Sequence, residues 1–264
     1  MRAFRVAYDG RPFHGFQRQP DVPTVEDAIF DALRALDVFL GDAPEGYSAA
    51  GRTDAGVSAL SQTVALDAPD WLTPRALDAE LPSTVHAWAS ADVGDDFHAT
   101  ADANWREYVY FLYAPDLEAE RAREALEALC GEHDYHNLTP DDERTVRTIG
   151  GAVSRDGPHL VVTLRAGGFS RQLVRRVVSL VRSVASGAAP PAKIDRVLAD
   201  EPLDGPEGVA PAPPLPLVLS RVDYDAAFRV EEAAAAAARE SFAELAAERR
   251  TGARVARYVA EGVS

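Results

Sequence analysis

Apolar and polar positions alternate from Ala3 to Asp9 (AFRVAYD), which predicts a β-strand. A loop rich in glycine and aromatics follows (GRPFHGFQRQP), and the period then changes. Val25, Ile29, Leu33 and Leu36 recur at helical spacing, so 25–38 reads as an amphipathic helix, opened by Thr24 and Asp27 as a capping-box variant. Strands are expected near Tyr47, over 61–67 and over 85–93, with Thr73-Pro74 opening a short helix. A second set begins with the aromatic, β-prone run 106–113 (REYVYFLY). It continues with a helix over 117–130 and a hairpin of 145–154 with 159–165. A helix over 171–185 capped by Ser170 and a short helix over 191–199 come next. Six prolines make 202–216 a loop or a stiff linker, and 217–224 reads as a closing strand. From Phe228 the chain is alanine-rich and reads as one long helix or a helix pair.

Both sets run strand–helix–strand–strand, which favours an α+β fold over a doubly wound parallel sheet. The expected division is 1–100, 101–227 and a helical tail, 228–264. No glycine-rich dinucleotide or phosphate-cradling motif is present.

Charge changes this picture more than size does. Formal net charge is −15, with 42 acids against 27 bases, and Lys193 is the one lysine. That balance resembles salt-adapted cytoplasmic proteins and is at first sight wrong for a nucleic-acid binder. The distribution answers part of the objection. Between Gly157 and Ile194 there is no acid, while Arg165, Arg171, Arg175, Arg176, Arg182 and Lys193 are all present. Such a window fits a basic groove in an acidic shell. On the expected helix, Arg171, Arg175 and Arg182 form one stripe opposite Val174, Val177, Val178 and Val181, suited to RNA phosphate contacts. No run of about 18 uncharged apolar residues occurs, so no membrane span is expected. The N-terminal residues do not read as a signal peptide, and a cytoplasmic protein is the default. A lone cysteine, Cys130, excludes an internal disulfide and disfavours a cysteine-based metal site. His133 and His136 have ligand-like spacing but no accompanying acid or sulfur pattern, so no metal is expected. His14 and His98 read as structural hydrogen-bonders.

The densest chemical signal is Ala50-Gly51-Arg52-Thr53-Asp54-Ala55-Gly56-Val57. Glycines at both ends let the backbone turn tightly and approach a ligand. Extended geometry at Arg52 to Asp54 would put both side chains on one face, the arginine favouring the carboxylate as base or nucleophile. The spacing fits equally an ordinary Asp turn with a surface ion pair.

The segment Gly-Arg-Thr-Asp-Ala-Gly-Val resembles the catalytic signature of the TruA family of pseudouridine synthases. Further matches come in that family's order: Tyr8-Asp9-Gly10, Gly15-Phe16-Gln17-Arg18-Gln19, Asp96-Phe97-His98-Ala99, Arg106 with Tyr108 and Tyr110, Gly131-Glu132-His133-Asp134-Tyr135, and Phe169 with Leu173-Val174-Arg175. The resemblance implies two ferredoxin-like α+β subdomains around a central cleft with a mixed, mainly antiparallel sheet. It implies conversion of uridine to pseudouridine in the anticodon stem-loop of tRNA, by a homodimer that needs no cofactor. By the same resemblance Asp54 is the catalytic carboxylate and Arg52 its ion-pair partner. Tyr108 packs on the uracil, Arg175 lines the cleft and Leu217 closes the pocket. Bland roles compete at two of these positions: Tyr108 as a core strand aromatic and Arg175 on a solvated helix face. Ser179 and Pro216 stand where the family usually has glycine, and the tail from Phe228 has no recognised counterpart. Two alternatives stay open: a synthase acting on another RNA uridine, and a non-catalytic RNA-binding module.

Overall fold

In the computed structural model, which describes residues 1–203 and 205–263, the first alternation forms strand β1 (Arg2–Tyr8). Helix α1 (Val25–Ala35) begins at Thr24, whose hydroxyl accepts from the Asp27 amide at 3.2 Å and donates to the Asp27 carboxylate. It ends short of the expected Val38 because Asp37 turns into the left-handed region at φ 54°. Strands β2 (Ser48–Ala49) and β3 (Ser58–Leu66) flank the glycine-bracketed loop. Helix α2 (Pro74–Glu80), capped by Thr73, leads to β4 (Val85–Asp92).

The second set comprises β5 (Trp105–Tyr113), α3 (Ala119–Glu127), β6 (Gly131–Asp134), β7 (Val146–Asp156) and β8 (His159–Ala166). Helices α4 (Leu173–Ala185) and α5 (Ala192–Val197) and strand β9 (Leu217–Asp223) follow. Strand β6 was not expected, being four polar or small residues with no apolar alternation. The chain finishes with β10 (Arg229–Val230) and α6 (Glu232–Gly262), one 31-residue helix rather than a pair.

All the strands form one sheet in the order β10-β4-β1-β3-β9-β5-β8-β7-β6, with β2 also paired to β3. Every pairing is antiparallel except β3 with β9, matched at Ser58↔Val218 and Ala59↔Leu219. This is the α+β architecture that the residue patterns imply, with the mixed, mainly antiparallel sheet that the resemblance implies. Two apolar cores lie along it. One gathers Phe4, Val6, Ile29, Leu33, Leu66, Leu77 and Val85, and takes Leu219, Val222 and Tyr224 from around β9. The other gathers Tyr110, Leu126, Val162, Leu164, Val177, Val178 and Val181, and takes Val57 from the loop before β3. Tyr108 packs against both. The β3–β9 seam is therefore where the two halves lock together, and the Ala50–Val57 loop sits at its end.

Two expectations change. Ser170 does not cap a helix over 171–185: Gln172 takes φ 61° and α4 starts at Leu173, while the Ser170 hydroxyl donates to the Arg144 carbonyl. Arg171 therefore precedes the helix, and the three-arginine stripe reduces to Arg175 and Arg182. The proline-rich segment is a loop rather than a linker, and residues 209–216 lie as a wall against α4 and β5. The Ala212 amide donates to the Arg175 carbonyl at 3.0 Å, Arg176 Nη1 to the Val209 carbonyl at 2.7 Å, and the Tyr110 hydroxyl to the Pro213 carbonyl at 3.0 Å.

Helix α6 is anchored at its start and middle. The Glu231 amide donates to the Trp88 carbonyl, Ala234, Ala235 and Ala238 are buried, and the Phe242 ring meets the His86 ring edge-on at 5.6 Å. Farther along, Arg249 Nη2 bonds Asp9 Oδ2 at 2.6 Å. Since Val230 pairs with Ala89 and Tyr8 with Val85, α6 runs back along β4 toward the end of the sheet where β1 leaves and β3 enters. Residues 250–263 are all exposed.

Candidate active site

The Ala50–Val57 loop is fixed from several sides. Gln62, fully buried on β3, donates through Nε2 to the Gly51 carbonyl at 2.7 Å. Arg106 Nη2 donates to the carbonyls of Ala50 at 2.8 Å and Thr100 at 2.6 Å. Burial pulls the Arg106 guanidinium below its usual range, so its net of carbonyl acceptors does the work that water would do outside. The Tyr8 hydroxyl and Thr53 Oγ1 share a buried hydrogen bond of 2.8 Å. Gly15, at φ 99°, lets the preceding loop close on this one: the Phe16 amide reaches the Thr53 carbonyl at 3.1 Å, and a Cβ on Gly15 would lie 2.8 Å from that oxygen. The Val57 amide then turns back to the Asp54 carbonyl at 3.1 Å. Asp54 is left at the start of that turn with a side chain one-third exposed.

Asp54 faces a cleft of about 880 Å³. Across it, Arg175 Nη1 bonds Asp54 Oδ2 at 2.7 Å, and Arg175 Nε bonds the Ala212 carbonyl at 2.7 Å. The guanidinium is thus held between the carboxylate and the proline-rich wall, with its side chain 13% exposed. Tyr108 lies at the seam between the cores and meets Phe169 edge-on, with ring centroids 5.3 Å apart. Burial pushes the Tyr108 phenol up to about 12. Leu217, also buried, adds an apolar wall, and His14, Gln17 and Gln19 stand on the rim.

The structure therefore brings together Asp54, Tyr108, Arg175 and Leu217, with Arg52 and Arg171 also in the lining. It corrects the expected ion pair. Arg52 is exposed and makes no salt bridge to Asp54; the partner is Arg175, from the other half of the chain. The Asp54 carboxylate is engaged from across the cleft, by a side chain that two-residue spacing could not reveal. Arg171 sits at the rim, held by Asp141 at 3.2 Å. Arg182 is exposed two turns farther along α4 and does not reach the cleft lining. Phe169, Gln172 and the 209–216 wall had no site role assigned from the sequence. Phe169 was at least legible in a motif, whereas a wall built from backbone carbonyls leaves no side-chain signature.

Other candidates settle elsewhere. His133 Nε2 donates to the Cys130 carbonyl and its ring meets Tyr135, while His136 lies 3.5 Å from the Asp134 carboxylate. His98 Nδ1 accepts from the Thr100 amide. Among the described residues no group of three or more His, Cys, Asp and Glu gathers to hold a metal, and no helix is long and apolar enough to cross a membrane. Chemically, the cleft offers a carboxylate fixed by an arginine, an aromatic face and an apolar wall. That set can hold a planar ring beside an oriented carboxylate.

A family model described as tRNA pseudouridine synthase matches residues 125–225. Curated proteins named tRNA pseudouridine synthase A match over nearly the whole chain. That of Halobacterium salinarum is 57% identical over 98% of both chains, and that of Haloarcula marismortui 55% identical over 100% of both. The Methanosarcina acetivorans protein of the same name is 37% identical over 84% of each. Among solved structures, the archaeal box H/ACA sRNP Nop10-Cbf5 complex matches with a TM-score of 0.36 and 15% identity, covering 69% of this chain and 43% of that one.

Proposed function

Because the chain belongs to the tRNA pseudouridine synthase A family and has the pseudouridine synthase fold, we propose that it isomerises uridine to pseudouridine in the anticodon stem-loop of tRNA, with Asp54 as the catalytic carboxylate. The observation that carries this reading is the Asp54–Arg175 ion pair across a cleft floored by Tyr108. The target nucleoside must leave its stack, at a cost of a few kcal/mol, and stacking on Tyr108 offsets part of that. The bond from ribose C1′ to uracil N1 breaks, the detached uracil turns in the pocket, and C5 bonds to C1′. N1 gains a proton and C5 loses one, so atoms and electrons balance without a redox partner or cofactor. Asp54 can serve this sequence by attacking C1′, by attacking the base, or by taking the 2′ proton of the ribose. Each route needs a carboxylate oxygen free of Arg175, and one Asp54 oxygen has no such bond.

Arg175 holds the carboxylate in place, while Leu217 and Phe169 keep water from the separated sugar and base. In this reading the enzyme is a cytoplasmic homodimer that holds tRNA across both subunits. Asp54→Asn tests it. Release of tritium from uracil C5 of tRNA should be lost, while tRNA binding stays within about threefold of the parent. Turnover within about tenfold of the parent, less than roughly 1.4 kcal/mol of barrier, would remove Asp54 from the chemistry. Pseudouridine mapping on tRNA from a strain lacking the protein identifies the position. An unaltered anticodon stem-loop there would redirect the proposal to another RNA.

A further inference from the structure

Beyond its contact with Asp9, α6 leaves the body of the protein. The thirteen residues from Arg250 to Gly262 project about 20 Å at 1.5 Å per residue. They emerge at the end of the sheet that carries the Ala50–Val57 loop, since Asp9 directly follows β1 and Gly10 packs against the Val57 carbonyl. The charge of the helix changes sign at the same place. From Glu232 to Glu248 it carries four acids and one arginine; from Arg249 to Val263 it carries four arginines and one acid, in a chain of net −15.

Arg250, Arg254 and Arg257 are spaced i, i+4, i+7, so they share one face of this arm, with Tyr258 beside them. All four are exposed, and none of the three arginines makes an ion pair among the described residues. The helix dipole favours cations only within the last turn. All three arginines lie before that turn, so the dipole does not account for the stripe.

We propose that the projecting arm of α6 is a second RNA-contacting surface, on which Arg250, Arg254 and Arg257 bind the phosphate backbone of the tRNA whose target base occupies the cleft. This deepens the function proposed above and rests on it. Charge complementarity selects the occupant: the arm is a cationic projection from an anionic body, and the substrate is a polyanion. Arginine suits the task because its planar fork bonds two phosphate oxygens at once and still holds when salt screens longer-range attraction.

The test replaces Arg250, Arg254 and Arg257 together in the full chain, by glutamate in one variant and by glutamine in another. Arg249 is kept, so the Asp9 contact survives. Both variants should fold with parental helicity and melting midpoint, because the arm packs on nothing. Affinity for full-length tRNA should fall at least tenfold in the Glu set and about threefold or more in the Gln set. The dependence of log affinity on log salt should flatten by about 2 to 3, at roughly 0.7 to 0.9 per lost phosphate contact. Unchanged affinity and slope in both sets, with the parent still binding and converting tRNA, overturns the arm's role and leaves the proposed function standing. A parent that neither binds nor converts tRNA overturns both. The exposed Val255 and Val259 give the protein-partner control. If Val255→Ser with Val259→Ser halves the particle mass by sedimentation while the arginine sets bind tRNA normally, the arm pairs with a second copy and the RNA proposal is refuted.

Discussion

Arg175 Nη1 lies 2.7 Å from Asp54 Oδ2, an ion pair between residues 121 positions apart that fastens α4 of one half to the loop before β3 of the other. The same guanidinium bonds the Ala212 carbonyl through Nε, so two separate nitrogens are engaged at fixed angles.

Lysine offers one compact charge in place of that fork and cannot serve both oxygens. Arg175→Lys should therefore lower kcat about 10- to 100-fold, the worth of one charge-assisted hydrogen bond at the barrier. Arg52→Gln should raise KM and leave kcat within about threefold, because Arg52 does not touch Asp54. Single-turnover tritium release separates the two. A larger kcat loss for Arg52→Gln would restore Arg52 as the carboxylate's partner.

Alkaline stability should follow the buried phenols. Tyr108 and Tyr224 are both pushed up to about 12 by burial, and Tyr8 is raised by the same cause. Unfolded tyrosine ionises near pH ~10, so above that point the unfolded chain sheds protons that the folded one keeps. Stability should be full below about pH 10 and fall as pH rises toward ~12. Thermal midpoints measured across this range should show the fall, and Tyr108→Phe should make it shallower. The same variant should leave the pH profile of turnover unchanged below pH ~10, since the phenol stays neutral there. Turnover lowered by more than about tenfold in the variant across that range would show that the hydroxyl takes part in proton transfer.

Periodic segments were the legible part of this fold. Val25, Ile29 and Leu33 mark α1, and Thr73-Pro74 marks the start of α2, because capping and amphipathicity are local. The Asp54 loop was legible for a different reason: glycines at Gly51 and Gly56 bracket it, and a Cβ on Gly56 would meet Leu215 at 3.1 Å. What failed was long-range. Spacing paired Arg52 with Asp54, whereas the real partner approaches from α4 and no local pattern can announce it. A left-handed Gln172 put Arg171 outside the helix, since periodicity does not register backbone dihedrals. The prolines of 202–216 suggested a loop or linker by composition. Proline carries no amide donor, but it and its neighbours keep carbonyls, and those of Val209, Ala212 and Pro213 receive Arg176, Arg175 and Tyr110.

Salt should stabilise this protein. A net charge of −15 repels itself in dilute buffer, and at about 1 M salt the Debye length shrinks to roughly 3 Å. Its melting midpoint should rise between about 0.1 M and about 2 M KCl, where screening saturates contact by contact. A midpoint that falls over this range would refute salt adaptation.

Asp9 depends on α6. Its side chain is 8% exposed and its charge is met by Arg249, 240 positions away in sequence. Arg249→Met should cost about 3 kcal/mol or more, because it strands a buried carboxylate, and Asp9→Asn on that background should recover part of it. Urea unfolding of the four members of this cycle measures the coupling. Additive single effects would show that the pair contributes nothing beyond its two separate side chains.

The placement of β9 has a consequence for how the protein is made. Leu219, Val222 and Tyr224 complete the first core, and β9 covers the part of the β3 edge that β2 leaves bare, yet all of these follow the entire second set in sequence. A ribosome delivering the chain from its N-terminus must present Ser58 and Ala59 as an open strand edge until residues 217–223 emerge. The first half cannot mature alone, and its unpaired edge is exposed to chance strand partners throughout that interval. The ion pair between Asp54 and Arg175 also waits: the carboxylate stands alone until residue 175, and the Ala212 carbonyl that holds its guanidinium, have emerged.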